Sequence, residues 1–524
     1  MNQTLPTDPA LAGLEVQSSS APAMPAPAQP APPRVKPVDR SQLTWAMVDV
    51  QTLIEEDHPA RAIWSLVEQL NSERFYRPIE AVEGVAGRTP WDPRLLVSLW
   101  IYAYSRGISS AREIERRCGY EPAFQWLCGL EQINHHTLSD FRVAQGPALQ
   151  ELFVNVLGVL SGAGLVSLKR VMHDGTKIKA CAGADSFRRE EWILAHLEAA
   201  RQQVQAMELE PAGQAESAGQ KAARRRAAEE RKERLEQALK ELEKIRETKS
   251  STAEKDSARA SITEPEARVM KQSNGGYGPS YNVQLSTDAA NKIIVGVGAS
   301  QGASDYGELS GAVDRVEQNL GRQPEQMVTD GGFTSRENII DQAAKGVDFI
   351  GSPAEHDQQL AGQMRRRGVA EQFYPQAFVY DPQQDSYCCP AGQTLEHVGQ
   401  EQRPGVVQHK YQAQPQICQV CPFKDKCCPQ NAHKGRSVIR AVEAPEVERF
   451  LQKMQTPEAK AIYRQRGAVA EFPNAWIKEK LGLRQFRLRG LVKVLLEVLW
   501  ACLTYNIQQW IRLRWRPALA GSKT

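Results

Sequence analysis

Two apolar runs that lead into Asp-Gly pairs constrain the fold of this chain more than any other feature. One is "LKRVMHDG", which reaches Asp174, and the other is "PEQMVTDGG", which reaches Asp330. The first pattern predicts a strand, a tight turn and a second short strand over residues 166–182. The second predicts a strand, a glycine-rich turn and a helix. Because functional groups collect beyond the carboxyl ends of strands in α/β sheets, both aspartates are candidate site residues.

A third carboxylate, Glu471, lies in the basic segment "YRQRGAVAEFPNAWIK". Ordinary ion pairs on a solvated helix face would explain this composition, and so would a metal-binding carboxylate among phosphate-binding neighbours. Lys478 follows Glu471 by nearly two helical turns and therefore shares its face. Pro473 is expected either to kink the helix or to place Glu471 near a helix start.

The chain of 524 residues is longer than one compact core usually requires, so we expect several domains. Residues 1–41 are rich in Pro, Ala and Ser, and such a segment buries too little apolar surface to offset its ordering entropy, which predicts a disordered tail. The other predicted regions are a helical, helix-turn-helix-like DNA-binding domain (42–165), the first part of a catalytic domain (166–348) with a helical-hairpin insertion (186–262), a cysteine-rich insertion (349–444), and C-terminal helices that complete the catalytic domain (445–524).

The order of the elements predicts an α/β fold with a ribonuclease-H-like mixed sheet. Strands and helices carry Asp174, Asp330 and Glu471 in the order of that fold, separated by two long insertions. Such insertions are tolerable because the entropy of loop closure grows only with the logarithm of loop length. Three converging carboxylates fit a two-metal phosphoryl-transfer site, with ions about 3.5–4 Å apart at the attacking and leaving oxygens. Hard oxygen ligands favour Mg²⁺, or Mn²⁺ in its place.

In combination, these motifs resemble the DDE transposases of bacterial insertion sequences, in the group with a Tyr-Arg-Glu-Lys signature. "MHDGTK" resembles the first-aspartate box, "VTDGGFTSRENI" the second, and "YRQRGAVAEFPNAWIK" the signature helix. The resemblance extends over about residues 42–512. It implies that Asp174, Asp330 and Glu471 are the catalytic metal ligands.

The resemblance also implies DNA contacts within the signature helix. Lys478 would contact phosphate near the cut, while Tyr463 and Arg466 would hold the strand beside the scissile bond. Four residues separate Arg466 from Glu471, whereas the commonest pattern in related groups has three. Arg464 therefore stays an alternative to Arg466.

Any further DNA footprint must be local, because 65 basic and 62 acidic residues leave a formal net charge of only +3. The segment "WIKEKLGLRQFRLRG" supplies Arg484 and Arg487, and basic side chains interleaved with aromatic ones suit a phosphate backbone. In the N-terminal helices, Arg142 is expected to be exposed together with Arg112, Arg116 and Arg117. Solvated helix faces are the alternative explanation at both places.

The cysteine cluster in "YCCPAGQ" and "QICQVCPFKDKCC" has a spacing typical of metal ligands. Cys389, Cys418, Cys421 and Cys427 fit a structural zinc ribbon. Cys388, Cys428 and His433 are further candidates, and free thiols in an irregular insertion remain the alternative. A role for His173 as general base is less expected than packing or hydrogen bonding, because metal-bound water needs no such base.

The N-terminus lacks the pattern of a secretory signal, and the most apolar stretch, "LVKVLLEVLWACLTYNI", carries Lys493 and Glu497. We therefore expect a buried helix there, no membrane span and a cytoplasmic, nucleoid-associated protein. The resemblance implies a transposase that binds terminal inverted repeats and target DNA as a homodimer, cleaves the ends and transfers the strands. The alternatives are a ribonuclease-H-like nuclease without strand transfer and a domesticated transposase that only binds DNA.

Overall fold

The structure is a computed structural model that describes residues 47–81, 89–209, 218–272, 274–353 and 356–522. The predicted disordered tail, residues 1–41, lies outside the described residues. Residues 49–522 belong to one compact unit.

The described chain begins with helices packed around the apolar helix α3. The side chains of His58, Asp92 and Asn134 cap α1, α3 and α6 by accepting a backbone N–H two residues later. The helices are α1 (Pro59–Gln69), α2 (Glu73–Tyr76), α3 (Pro93–Ser105), α4 (Ala111–Cys118), α5 (Pro122–Cys128), α6 (His135–Ala144) and α7 (Gly146–Gly162).

The strands form one mixed sheet, one antiparallel sheet and one short pair. The mixed sheet has the order β4-β5-β1-β7-β8, with β6 also paired to β5, and the short pair is β2-β3. The strands concerned are β1 (Val171–Lys179), β2 (Phe187–Arg188), β3 (Ala260–Ser261), β4 (Arg268–Lys271), β5 (Tyr277–Asp288), β6 (Ile293–Ser300), β7 (Gln326–Val328) and β8 (Asp348–Ile350). A mixed α/β fold is therefore confirmed.

Strand β1 is central because it pairs on both sides. It runs antiparallel to β5 from Val171 opposite Asp288 to Lys179 opposite Ser280, and parallel to β7 at its start. The turn predicted at Asp174-Gly175 is wrong, since both residues lie inside this continuous strand.

The glycine after Asp174 serves close packing and not a turn. A Cβ at Gly175 would lie 2.4 Å from Oδ1 of Asp305 and 2.8 Å from Nε2 of Gln284. Gly175 therefore lets the Asp305 carboxylate approach the backbone of β1.

Two helices that follow β2 pack against each other as an antiparallel pair. Ile193 and Leu197 of α8 form a small apolar cluster with Leu235 and Leu242 of α9. The helices of this middle part are α8 (Glu190–Leu209), α9 (Ala218–Glu247), α10 (Thr252–Asp256), α11 (Leu309–Leu320), α12 (Arg336–Ala344) and α13 (His356–Arg366). Residues 210–217, which connect α8 to α9, lie outside the described residues.

The cysteine-rich region is more regular than its sequence suggests. It holds a five-stranded antiparallel sheet of order β13-β12-β11-β10-β9, with its own apolar cluster around Leu395 and Tyr411. Its elements are β9 (Val379–Asp381), β10 (Ser386–Cys388), β11 (Thr394–Arg403), β12 (Val406–Gln412), α14 (Pro415–Val420), α15 (Lys424–Cys427) and β13 (Ser437–Glu443).

The C-terminal helices return to the mixed sheet. They are α16 (Pro445–Gln455), α17 (Pro457–Arg464), α18 (Phe472–Glu479), α19 (Leu491–Trp510) and α20 (Arg516–Ser522). Trp500 of α19 lies 6.4 Å from Trp100 of α3, and both belong to the main core. Among the described residues, the continuous helical stretch Leu491–Gly521, which contains α19, is long and apolar enough by composition to cross a membrane. Helices α6 and α7, which are bent relative to each other, meet the same criterion only when they are taken together. Since 72% of the apolar stretch is buried, α19 is a core helix, as its sequence predicts.

Arg142 is buried, so its predicted exposure is wrong. Its side chain is 6% exposed, its guanidinium lies 4.7 Å from the ring centroid of Trp100, and Nη1 donates to the Ser109 carbonyl at 2.8 Å. Burial raises the pKa of Glu497 in α19, and the charge of Arg142 opposes that increase. Arg142 therefore joins the N-terminal helices to α19 and is not available to contact DNA phosphate.

We expect Arg142→Met to lower the free energy of unfolding by about 1–3 kcal/mol, because it leaves the Ser109 carbonyl without its buried donor and removes the cation–π contact with Trp100. Urea denaturation of the full chain measures this effect. Arg112→Met is the matched control on an exposed arginine, with an expected change below about 0.5 kcal/mol. Equal stability of the two variants would contradict the structural role of Arg142.

We expect Gly175→Ala to destabilise the protein by about 1–3 kcal/mol, because its Cβ would overlap the hydrogen-bonded side chains of Asp305 and Gln284. Gly278→Ala is the control in the adjacent strand, where an added Cβ meets no atom within 4 Å. Thermal unfolding compares the two variants. Similar transition temperatures would show that the space at Gly175 is not needed.

Candidate active site

Asp174 lies in the middle of β1 and faces the C-terminal helices. Nδ2 of Asn474 donates a hydrogen bond to its Oδ2 at 3.0 Å, and Nη1 of Arg466 lies 3.8 Å from its Oδ1. Burial raises the pKa of Asp174 to about 6, Arg466 opposes this increase, and the charges of Asp330 and Glu471 add to it. The three predicted carboxylates therefore lie near enough to interact electrostatically.

Asp330 follows β7 at the level of Asp174 in the neighbouring strand. Val171 of β1 pairs with Met327 of β7, and each aspartate lies three residues further along its own chain. The Asp330 carboxylate accepts the backbone N–H of Gly332 at 2.8 Å and thereby caps a 3₁₀ turn. The glycine-rich turn expected after this strand is confirmed.

Glu471 ends a π-helical turn, Gly467–Glu471, that links α17 to α18. In a π-helical turn each backbone hydrogen bond joins residues five positions apart. The turn therefore holds one residue more than a turn of α-helix. Arg466 consequently reaches Glu471, with 3.5 Å between Nη2 and Oε1. The four-residue spacing that departs from the family pattern thus still leaves Arg466 beside the acid. Pro473 lies in the first turn of α18, so Glu471 is at a helix start, one of the two predicted outcomes.

Helix α18 lies along β1 and contacts it through two pairs of side chains. Asn474 bonds Asp174, and Nζ of Lys478 donates to Oγ1 of Thr176. Four residues of a helix rise about 6 Å and two residues of a strand about 6.6 Å, so both pairs form at once. Burial lowers the pKa of Lys478, and the charge of Asp174 opposes that decrease.

A second polar cluster lies on the other face of β1. Asp305 accepts hydrogen bonds from Asn282 at 2.6 Å and Gln284 at 2.8 Å, and it pairs with Lys177 at 3.1 Å. Although burial alone would raise the pKa of Asp305, the Asn282 hydrogen bond and the Lys177 charge lower it. Sequence reasoning missed Asp305 because it lies in a loop without a motif.

His173 belongs to this second cluster. It is fully buried, its Nδ1 lies 2.9 Å from Ser286 Oγ, and its Nε2 lies 2.8 Å from Gln284 Oε1. Burial lowers its pKa to about 3, and the charge of Arg315 lowers it further. Both ring nitrogens are engaged, so the structure matches the packing and hydrogen-bonding role.

The carboxylates of Asp174, Asp330 and Glu471 lie near one another, but they are not arranged as a set of metal ligands. Among the residues described, no group of three or more His, Cys, Asp and Glu side chains is placed to hold a metal ion. The Arg466 guanidinium contacts Asp174 and Glu471, so a cation already lies between two of the acids.

The other predicted DNA-binding side chains differ in exposure. Tyr463 is half-buried and packs against the main core. Arg484 is exposed and pairs with Glu479, and exposed Arg487 donates from Nε to Ser109 Oγ at 2.7 Å. Arg464 is exposed, whereas Arg466 points to the carboxylates.

The cysteine cluster surrounds a cavity of about 30 Å³. The thiols that line it are those of Cys389, Cys418, Cys421, Cys427 and Cys428. The backbone N–H of Gln393 donates to Sγ of Cys389 at 3.4 Å, and that of Arg436 donates to Sγ of Cys418 at 3.3 Å. Cys388 and His433 do not line this cavity.

Two segments of the chain match family models. Residues 48–144 match the family described as "Transposase domain (DUF772)", and residues 388–511 match the family described as "Transposase DDE domain". The second match contains the π-helical turn, α18 and every cysteine of the cluster.

No curated protein matches the chain. Among solved structures, the chain is similar to the cryo-EM structure of a piggyBac transposase synaptic complex with hairpin DNA. The identity is 8%, the alignment covers 87% of this chain and 81% of the other, and the TM-score is 0.25. That similarity is too low to inform the fold. The two family matches support the assignment of this chain to the DDE transposases of insertion sequences.

Proposed function

We propose that this protein is a metal-dependent DNA transposase that binds the terminal inverted repeats of its element, cleaves the ends and transfers the strands. The observation that carries this proposal is that Arg466 contacts both Asp174 and Glu471, while Asp330 follows the strand that pairs beside Asp174, although the three acids belong to distant segments of the chain. The transposase family matches support the same conclusion.

A ribonuclease-H-like catalytic domain is part of this proposal. The strands β6-β5-β1-β7-β8 lie side by side, with β5 antiparallel to both β1 and β6, and β7 and β8 parallel to β1. If these five strands are renumbered 1 to 5 by their order along the chain, leaving out the short strand β4, their order across the sheet is 3-2-1-4-5. This order supports that fold. The helical pair α8 and α9 and the antiparallel sheet β9–β13 would then be its two insertions.

Carboxylate oxygens are the donors that Mg²⁺ and Mn²⁺ prefer, so Asp174, Asp330 and Glu471 fit such an ion. A bound ion would activate the attacking water or 3′-hydroxyl and offset charge on the leaving oxygen. Arg466 contacts two of the same carboxylates and would compete for them. We propose that its guanidinium turns to a DNA phosphate when the carboxylates take up the ion.

Lys478 and Tyr463 would act on the DNA strand itself. Lys478 bonds Thr176 of β1, and burial lowers its pKa, so this desolvated ammonium would gain from a phosphate partner. Exposed Arg484 and Arg487 would extend this contact along the backbone of double-stranded DNA. Arg142 is left out because it is buried. Cleavage of two element ends together would require two copies, so we propose a homodimer on DNA.

We expect Glu471→Gln, Asp174→Asn and Asp330→Asn each to reduce Mg²⁺-dependent nicking of labelled element-end DNA by at least about 10³-fold, because each removes a charged ligand. Binding of the same DNA in a gel-shift assay should be retained. Glu458→Gln is the matched control, since it changes an exposed acid in the neighbouring helix α17.

The outcomes separate the competing functions. Nicking without joining of the 3′-end to target DNA would favour the nuclease, and binding without nicking would favour the domesticated DNA-binder. Unchanged nicking by Glu471→Gln would place Glu471 on an ordinary ion-paired helix face.

We propose a structural Zn²⁺ at Cys389, Cys418, Cys421 and Cys427, supported by the shared cavity and by the two backbone N–H groups directed at sulfur. The thiols are not yet placed as a metal site, so ion binding would have to draw them together. Cys428 competes with Cys421 as the fourth ligand.

We expect about one Zn²⁺ per chain in purified protein, and most of it lost in Cys418→Ser, because four thiolates hold Zn²⁺ far more tightly than three. Elemental analysis by mass spectrometry measures the content. Cys502→Ser, at a buried thiol of α19, is the control that should keep the metal. Wild-type protein with free thiols and no zinc would refute the site.

A further inference from the structure

Asn474 makes one hydrogen bond, and its partner is a predicted metal ligand. The side chain is 7% exposed and lies on α18, three residues after Glu471. A carboxylate only accepts hydrogen bonds, so the group within 3.0 Å of Asp174 Oδ2 must be the amide NH₂.

The other atom of this amide has no partner. Oδ1 of Asn474 is buried and accepts no hydrogen bond from any described residue. A leucine of similar volume would remove this unsatisfied acceptor, but it would also leave Asp174 Oδ2 without its donor. The hydrogen bond to Asp174 is therefore the contact that accounts for an amide at this position.

That hydrogen bond determines which oxygen of Asp174 is available. Oδ2 is held by Asn474, while Oδ1 faces the Arg466 guanidinium at 3.8 Å, on the side of Glu471. Lys478, one turn further along α18, bonds Thr176 and keeps the helix in register with β1. Asn474 thus lies where α18 can fix the orientation of the carboxylate.

We propose that Asn474 is a positioning residue that holds Asp174 by Oδ2 and presents Oδ1 to a divalent cation shared with Glu471. The proposal rests on the proposed function, because it requires Asp174 to be a metal ligand. Partners that orient a metal-ligating side chain typically change metal affinity by 10–100-fold when they are removed.

The test is a Mn²⁺ titration of the full-length protein without DNA, in which electron paramagnetic resonance measures free Mn²⁺. We expect Asn474→Leu to weaken Mn²⁺ binding by about 10-fold or more while its unfolding temperature stays close to that of wild type, because the lost hydrogen bond to Asp174 offsets the removal of the unsatisfied Oδ1. Asn474→Ser keeps a hydrogen-bond donor on a shorter side chain, so we expect its Mn²⁺ affinity to lie between those of wild type and Asn474→Leu. Asn319→Leu is the matched control, because Asn319 is a buried asparagine of α11 that donates to Val295 and is remote from the carboxylates.

The possible results distinguish a failure of the role proposed for Asn474 from a failure of the proposed function. Binding by wild type that is lost in Asp174→Asn but unchanged in Asn474→Leu would overturn the role of Asn474 and leave the metal site standing. A loss in Asn474→Leu matched by an equal fall in unfolding temperature, as expected for Asn319→Leu, would mark it as merely structural. Wild-type protein that binds no Mn²⁺ would overturn both proposals.

Discussion

The contact between helix α18 and strand β1 is the interaction on which the candidate site depends. It joins Asp174 to Asn474, 300 positions apart, and Thr176 to Lys478, 302 positions apart. The agreement between the helical rise over four residues and the strand rise over two lets both pairs form together. Glu471 precedes Asn474 by one turn, so this contact also sets how near it comes to Asp174.

The mixed sheet supplies the rest of the arrangement. Its central strand β1 is paired on both sides, which fixes Asp174 in the interior of the sheet, and Asp330 follows β7 at the same level. The helical pair α8 and α9 lies between β2 and β3 in the chain, and the antiparallel sheet follows β8. Each carries a small apolar cluster that is separate from the main core of the mixed sheet.

Local chemistry made part of the site predictable from the sequence. Pro473 indicated a helix start near Glu471, and α18 begins at the next residue, Phe472; the glycine pair after Asp330 specified a turn. What the sequence did not reveal depends on distant partners. Gly175 resembles a turn residue until Asp305 is seen packed against it, and Asn474 gains meaning only beside Asp174.

Burial explains why the exposure predicted for Arg142 is wrong. Arg142 has the sequence context of an exposed helical arginine, but Trp100 and α19 enclose it, and neither is adjacent to it in the chain.

The extra residue between Arg466 and Glu471 looked like a mismatch with the family pattern, because spacing arguments assume 3.6 residues per turn. A π-helical turn removes that mismatch, and single-sequence periodicity does not announce such turns.

The central claim is that Asp174, Asp330 and Glu471 together bind a divalent cation. The most direct measurement is anomalous diffraction from crystals of the full-length protein soaked in Mn²⁺. The account predicts a manganese peak within about 2.0–2.6 Å of carboxylate oxygens from Asp174 and at least one of the other two acids, with Arg466 displaced from them. A peak at other residues, or Arg466 still paired with Asp174 and Glu471 at saturating Mn²⁺, would contradict it.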